Sequence, residues 1–250
     1  MIPAQFLAAD GKAVIVAIDH TLYSWPCPGL EDRGALLASV AAAGADAIIA
    51  SYGTIRDFRP AFGRAHPILK LDLTSVTLGS SYALTEYLPA YTLEDAQRLG
   101  VRTVLTYIQL GAPFELEALR VAARLAADCD RAGLTYLCEI MPVESERYPD
   151  AFAPEAIAAA CRTGQELGGH AIKTTMPLPP ESVAEAVKTC GVPVILAGGA
   201  LAPDREALLG QVKTCVDLGV AGVAFGRNVW GKPDPADTVR RLVSIVHAGA

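Results

Sequence analysis

Long apolar runs are missing from this 250-residue sequence. None approaches the ~20 residues that a membrane-spanning helix needs, so no helical span is expected. Basic residues are outnumbered, with 21 Lys and Arg against 27 Asp and Glu and a net charge of −6. That balance argues against nucleic acid or an anionic membrane as a partner, since both reward a basic surface. It leaves room for an anionic small substrate, because one local Arg or Lys outweighs the global sign. Histidines are few and dispersed: His20, His66, His170 and His247. The six cysteines (Cys27, Cys129, Cys138, Cys161, Cys190 and Cys215) include no C-x-x-C pair and no Cys/His cluster at zinc-ligand spacing. No metal is expected, and the cysteines read as reduced, mostly buried thiols. The opening "MIPAQFLAADGKAVIVAIDH" has no basic flank before its apolar run, so no signal peptide is expected and the cytoplasm is the default. A Pro/Ser-rich linker is also missing, and residues 1–250 are read as one domain.

What is present is an architectural repeat. Hydrophobic residues make up 52% of the chain, much of it alanine. Helical patterns end on a glycine and a short apolar strand follows, as in "AAAGADAIIAS", "QRLGVRTVLTY", "DRAGLTYLCEI", "ELGGHAIKTT", "KTCGVPVILAG" and "DLGVAGVAFG". Glycine suits the left-handed position that closes a helix, and near-continuous apolar strands suit a parallel sheet covered on both faces. With "KAVIVAIDH" first and "HPILKLDLT" third there are eight strands. Helical stretches are expected at 31–43, 114–132, 153–167, 180–190, 203–218 and 235–248. Eight βα units in this length point to a TIM (β/α)8 barrel, with a doubly wound open sheet as the alternative.

A TIM barrel places its active site at the C-terminal ends of the strands. There the sequence reads Asp19-His20, Ser51-Tyr52-Gly53, Lys70-Leu71-Asp72, Tyr107 with Gln109, Glu139 with Met141, Lys173 to Thr175, Gly198-Gly199 and Gly226-Arg227-Asn228. Ionisable residues crowding one rim of an apolar barrel favour an enzyme.

Lys173 is the centre of this set. Strand side chains alternate, so if Ile172 packs outward, Lys173 enters the barrel. A desolvated ammonium has a lowered pKa, and its amine condenses with a ketone to form a Schiff base. The competing reading is a lysine held by Asp19, Asp72 or Glu139 in a structural ion pair. Glu139 and Asp19 are each open to two readings, as proton donor and acceptor or as counter-ion. His20 either touches substrate or orders its loop, and Lys70 is the reserve nucleophile and a substrate-binding candidate. "LYSWPCPG" at 22–29 reads as a partial lid or as packing. "ILAGGA" and "VAFGRN" end the seventh and eighth strands, whose loops commonly build a phosphate site. Glycines let successive N–H groups approach an anion, and Arg227 adds a forked charged contact.

The chain resembles the class I (Schiff-base) aldolases of the archaeal fructose-bisphosphate aldolase type, within the DhnA–DeoC–LacD-like superfamily. The likeness spans nearly the whole chain and is carried by "AIDH", "GLED", "GADAII", "AIKTTMP", "VPVILAGG" and "GVAFGRNVW". It implies Lys173 as the Schiff-base lysine and Asp19 as a catalytic carboxylate. It places Gly198, Gly199, Gly226 and Arg227 around a substrate phosphate, and it implies a homo-oligomer. The archaeal aldolases carry an acid/base tyrosine near the end of strand five, where this chain has Met141. Tagatose-bisphosphate and sulfofructose-phosphate aldolases use a strand-five glutamate, and "CEIMPVESE" resembles their pattern, so the role passes to Glu139. Thr21 stands where the family usually has glycine. The expected activity is a lyase that needs no metal or cofactor, making or breaking a C–C bond in a phosphorylated ketose or related keto-phosphate. Fructose 1,6-bisphosphate itself is not assumed. The alternatives are a transaldolase-like or acyl-transfer enzyme using the same lysine, and a catalytically quiet sugar-phosphate-binding regulator.

Overall fold

Successive residues of a strand point to opposite faces, and that period of two organises this molecule. The computed structural model describes residues 4–22, 26–76 and 84–248. Eight parallel strands close into a barrel: β1 Ala13–Ala17, β2 Ala47–Ala50, β3 His66–Lys70, and then, after a hairpin of β4 Asp72–Val76 and β5 Leu84–Pro89, β6 Thr103–Leu110, β7 Thr135–Pro142, β8 Ala171–Thr175, β9 Val194–Ala197 and β10 Gly222–Phe225. The order around the barrel is β1-β10-β9-β8-β7-β6-β3-β2. Helices return the chain between strands: α1 Arg33–Ala42, α2 Tyr52–Asp57, α3 Leu93–Arg98, α4 Glu115–Ala132, α5 Pro154–Glu166, α6 Val183–Thr189, α7 Arg205–Asp217, the short α8 Arg227–Trp230, and α9 Pro235–Val246. Among the described residues, no helix is long and apolar enough to cross a membrane, and all six cysteines are buried.

Local chemistry sets the helix ends. Asp32, Asp204 and Asp234 accept backbone N–H groups at the starts of α1, α7 and α9, and Thr92 with Asp95 forms a capping box on α3. Gly133 closes α4 in the left-handed conformation at φ 66°, donating to the Cys129 carbonyl.

Two separate apolar clusters follow from the strand period. Val14, Val16, Ile48, Val104, Ile140, Ile172, Leu196 and Val223 face outward into the helices. Ala13, Ile15, Ala47, Ile49, Ile68, Leu105, Leu137, Ala171, Ile195 and Ala224 face inward and fill the lower barrel, with Phe6 packed among them. Gln5 fixes this N-terminal segment to the strand bottoms, its N–H donating to Thr135 Oγ1 (3.3 Å) and its side-chain amide to the Gly133 carbonyl (3.4 Å). His247 at the end of α9 joins the same end of the barrel, with Nδ1 2.7 Å from Asp10 and Nε2 3.0 Å from Asp46.

The expected third strand "HPILKLDLT" is two elements. Leu71 makes the last barrel bond, donating to the Leu105 carbonyl, and its own carbonyl accepts from Ala90 and Tyr91. From Asp72 onward the β-favouring run pairs antiparallel with β5, Asp72 opposite Pro89 and Thr74 opposite Tyr87. The strand signal in the sequence is sound, but the partner changes at Leu71.

Candidate active site

One step up each strand from the inward apolar layer brings a polar layer. Ile68 is followed by Lys70, Leu105 by Tyr107, Leu137 by Glu139 and Ala171 by Lys173, all on the inner face. The register aligns three of them across adjacent strands, with Tyr107 opposite Glu139 and Glu139 opposite Lys173. Ile172 is in the outer cluster, so Lys173 does enter the barrel.

Lys173 Nζ donates to Glu139 Oε1 at 2.5 Å, and the two residues are 5% and 7% exposed. Of the three carboxylates the sequence offered as a partner for Lys173, the fold supplies Glu139. Asp72 instead takes Lys70, at 2.7 Å, and also accepts the Tyr107 N–H at 2.6 Å. Burial alone pulls the Lys70 ammonium toward neutrality. Asp72, Asp19 and Glu139 outweigh that pull and hold its pKa above the ordinary lysine value. Lys70 is therefore charged and occupied, which weakens it as the reserve nucleophile. Its ammonium also lies 5.3 Å from the centre of the Tyr107 ring. Burial, then the charge of Glu139, pushes the Tyr107 phenol up to about 12, and Gln109 donates to its oxygen at 3.2 Å.

Asp19 opens the 3-10 turn Asp19–Leu22 directly after β1 and is buried. Its Oδ1 has no hydrogen-bond partner among the described residues and lies 3.7 Å from His20 Nδ1. His20 is held down to about 3 by burial and then by the charges of Lys173 and Arg227, so it is neutral near pH 7. Those two cations thus act on the same imidazole, one from β8 and one from the start of α8. The ring packs edge-on against Trp230 at 5.2 Å between centroids. A Cβ at Gly226 would come within 2.4 Å of His20 Cε1 and 2.9 Å of the Ala17 carbonyl. Glycine is what lets these two loops meet.

The loops after β9 and β10 form a second corner. Gly199 has φ 64°, and Gly226 precedes the first turn of α8. Asn228, which the sequence places at the end of the eighth strand without a role, ties the corner together. Its Nδ2 donates to the carbonyls of Gly198 (2.7 Å) and Ala200 (2.8 Å), and its Oδ1 accepts the Ala202 N–H (2.8 Å). Lys232 donates to the Ala202 carbonyl at 2.6 Å, and the Trp230 indole donates to the Ala17 carbonyl at 3.0 Å. The fold thus brings Asp19, His20, Glu139 and Lys173 together with Gly198, Gly199, Gly226 and Arg227 at one end of the barrel, with Lys70 at the same level. Of the possible lid at 22–29, Tyr23, Ser24 and Trp25 lie outside the described residues. Among the described residues no group of three or more His, Cys, Asp or Glu is placed to hold a metal ion.

Such a site can run amine–carbonyl chemistry beside a glycine-rich corner. The model of the DeoC/LacD family aldolases matches residues 13–232. The chain is 32% identical to 2-amino-3,7-dideoxy-D-threo-hept-6-ulosonate synthase of Halobacterium salinarum, over 98% of this chain and 90% of that one. It is 29% identical to the class 1 fructose-bisphosphate aldolase of Thermoproteus tenax, over 98% and 93%. Its fold superposes with a TM-score of 0.87, at 29% identity and 97% coverage of both chains, on an archaeal fructose-1,6-bisphosphate aldolase whose catalytic lysine is covalently bound to the carbinolamine intermediate of its substrate.

Proposed function

The chain belongs to the DeoC/LacD family of aldolases, and from that premise we propose that Lys173 is its Schiff-base lysine, acting on a phosphorylated ketose or related keto-phosphate. The observation that carries this is the buried Lys173–Glu139 contact of 2.5 Å between adjacent strands, beside the glycine-rich corner of Gly198, Gly199, Gly226 and Arg227. Glu139 is placed to take the ammonium proton, freeing the amine to add to the ketone. Glu139 returns that proton to the carbinolamine hydroxyl, which leaves as water and gives an iminium, with the carboxylate restored. In the cleavage direction the substrate's β-hydroxyl passes its proton to a carboxylate, Glu139 assisted by Asp19, as the C–C bond breaks. The electron pair of that bond enters the iminium to form an enamine, and the aldehyde leaves. Protonation of the enamine carbon and hydrolysis of the iminium by water return the amine and release the ketone. Gly198, Gly199, Gly226 and Arg227 would hold the phosphate and fix the register of the substrate.

The reading takes residues 1–250 as one domain and extends to a cytoplasmic homo-oligomer, both supported by the family likeness; light scattering in solution checks the assembly. The test of the chemistry is borohydride reduction in the presence of phosphoketoses, followed by mass spectrometry. A reduced adduct on Lys173 is expected. Binding with no adduct would instead make the chain a sugar-phosphate-binding protein without this chemistry.

A further inference from the structure

The cations around the mouth of the barrel lie almost wholly on one side. Arg227 and Lys232 follow β10, next to the Gly198-Gly199 turn after β9. The loops after β1 (18–32), after β3 including the whole hairpin (71–92), after β6 (111–114), after β8 (176–182) and after β9 (198–204) contain no Lys or Arg in the sequence. Arg56, on α2 after β2, is bound to Asp57 and exposed. Arg147, after β7, is bound to Glu115 at 3.1 Å, stacks over Tyr148, and is flanked in sequence by Glu144 and Glu146. Lys70 is sealed against Asp72 at 1% exposure.

Away from the β9–β10 corner and Lys173 itself, the inner-face cation among the described residues is Lys70, and it is taken up by Asp72. Glu139, Tyr107 and Gln109 stand on one side of Lys173, and Asp19 offers a buried carboxylate oxygen with no hydrogen-bond partner among the described residues. A buried acceptor of this kind is completed by a hydroxyl donor and repels a second anion. β9 is the strand next to β8, with Thr175 opposite Ala197 and Gly198 following. That adjacency puts the corner on the Lys173 side of the site.

We propose that the substrate carries a single phosphate, on the ketone half beside Lys173, and that its aldehyde half is an uncharged hydroxylated fragment reaching toward Asp19, Glu139 and Tyr107. The inference rests on the aldolase reading above and narrows it. A bisphosphate would have to set its second phosphate among carboxylates, where Lys70 and Arg147 are already engaged by Asp72 and Glu115.

The test uses the intact chain with dihydroxyacetone phosphate and borohydride, which delivers hydride to the iminium carbon and leaves a stable secondary amine on Lys173, read by peptide mass spectrometry. Fructose 1-phosphate, fructose 6-phosphate and fructose 1,6-bisphosphate are then each supplied in place of dihydroxyacetone phosphate, and the concentration giving half-maximal labelling of Lys173 is compared. Fructose 1-phosphate is expected to label at a concentration at least tenfold below that of the bisphosphate, and fructose 6-phosphate to label no better than the bisphosphate. Labelling by the bisphosphate equal to or stronger than that by the 1-phosphate overturns the single-phosphate inference, while the label on Lys173 upholds the aldolase reading. Equal labelling by the 1- and 6-phosphates overturns the placement of the phosphate. No label on Lys173 overturns both readings together.

Discussion

Two lysines enter the same layer of this barrel, and their surroundings differ. Around β3, Lys70 and Asp72 close on one another within two residues of chain, at 1% and 0% exposure, and the Tyr107 N–H adds to the same carboxylate. Around β8, Lys173 reaches across to Glu139 on the next strand, with both residues slightly open at 5% and 7%. Lys70 feels three carboxylates that keep it protonated. Lys173 has one carboxylate in hydrogen-bond contact and lies on the strand next to the glycine-rich corner. Burial and an ion pair do not by themselves mark a reactive lysine. On the proposed reading, the difference lies in whether the partner is a fixed lock or a group able to take the proton away while substrate arrives.

The sharpest way to break this comparison is to exchange the fates of the two lysines. Lys173→Ala should lower turnover by roughly three orders of magnitude or more, as loss of a nucleophile does. Lys173→Arg should do the same, because a guanidinium stays protonated. Steady-state kinetics on a phosphoketose, with circular dichroism to confirm folding, measures this; wild-type turnover in either variant removes Lys173 from its role. Lys70→Met should act on stability instead, costing about 3–5 kcal/mol by leaving Asp72 buried and unpaired. Chemical denaturation reads that loss, and Lys70→Met/Asp72→Asn should recover much of it. Borohydride labelling should remain on Lys173 throughout.

Arg227→Ala comes next. A desolvated charged hydrogen bond contributes roughly 1.5–3 kcal/mol, so kcat/KM for a phosphorylated substrate should fall by about one to two orders of magnitude. The dephosphorylated analogue should be poor with the wild type and nearly indifferent to the change. An equal loss on both substrates would show that Arg227 does not meet the phosphate.

The smallest effect belongs to a third cluster, the His247 bridge between Asp10 and Asp46. Burial opposes the charged imidazole, but the hydrogen bonds to Asp10 and Asp46 outweigh it and raise its pKa. A raised histidine contributes stability that is fully present below the unfolded value near 6.5 and is lost as pH rises through the folded value. The group is partly exposed, so the contribution should stay under about 1 kcal/mol. The Tm difference between wild type and His247→Gln should narrow between pH 6 and 9; a gap that widens with pH would contradict the assignment.

Much of this was legible in the sequence because a parallel barrel writes itself in periods. The glycine-then-apolar repeat located the barrel strands, and the Ile172/Lys173 alternation sent the lysine inward as observed. What stayed hidden depends on contacts distant in sequence. Asp72 reads as the end of a strand, yet it begins a hairpin and locks Lys70, because hydrogen-bonding partners change at Leu71. Asn228 makes bonds to backbone groups 26–30 residues away, which no local pattern announces. The choice of Glu139 over Asp19 and Asp72 as the Lys173 partner needed the β7–β8 register.

The barrel closes between β1 and β10, some 200 residues of chain apart, with Ala13 opposite Gly222 and the Trp230 indole bonded to the Ala17 carbonyl. During synthesis, the ribosome releases β1 long before its second neighbour exists. Until β10 emerges, the nascent sheet has two open edges and an inner face that lacks its last side, a template for pairing with other chains. Vectorial synthesis therefore cannot complete the active site piece by piece. The corner of Gly226 and its contacts with Ala17 and His20 form only when the final strand docks, so incomplete chains are exposed to aggregation and lack a finished site.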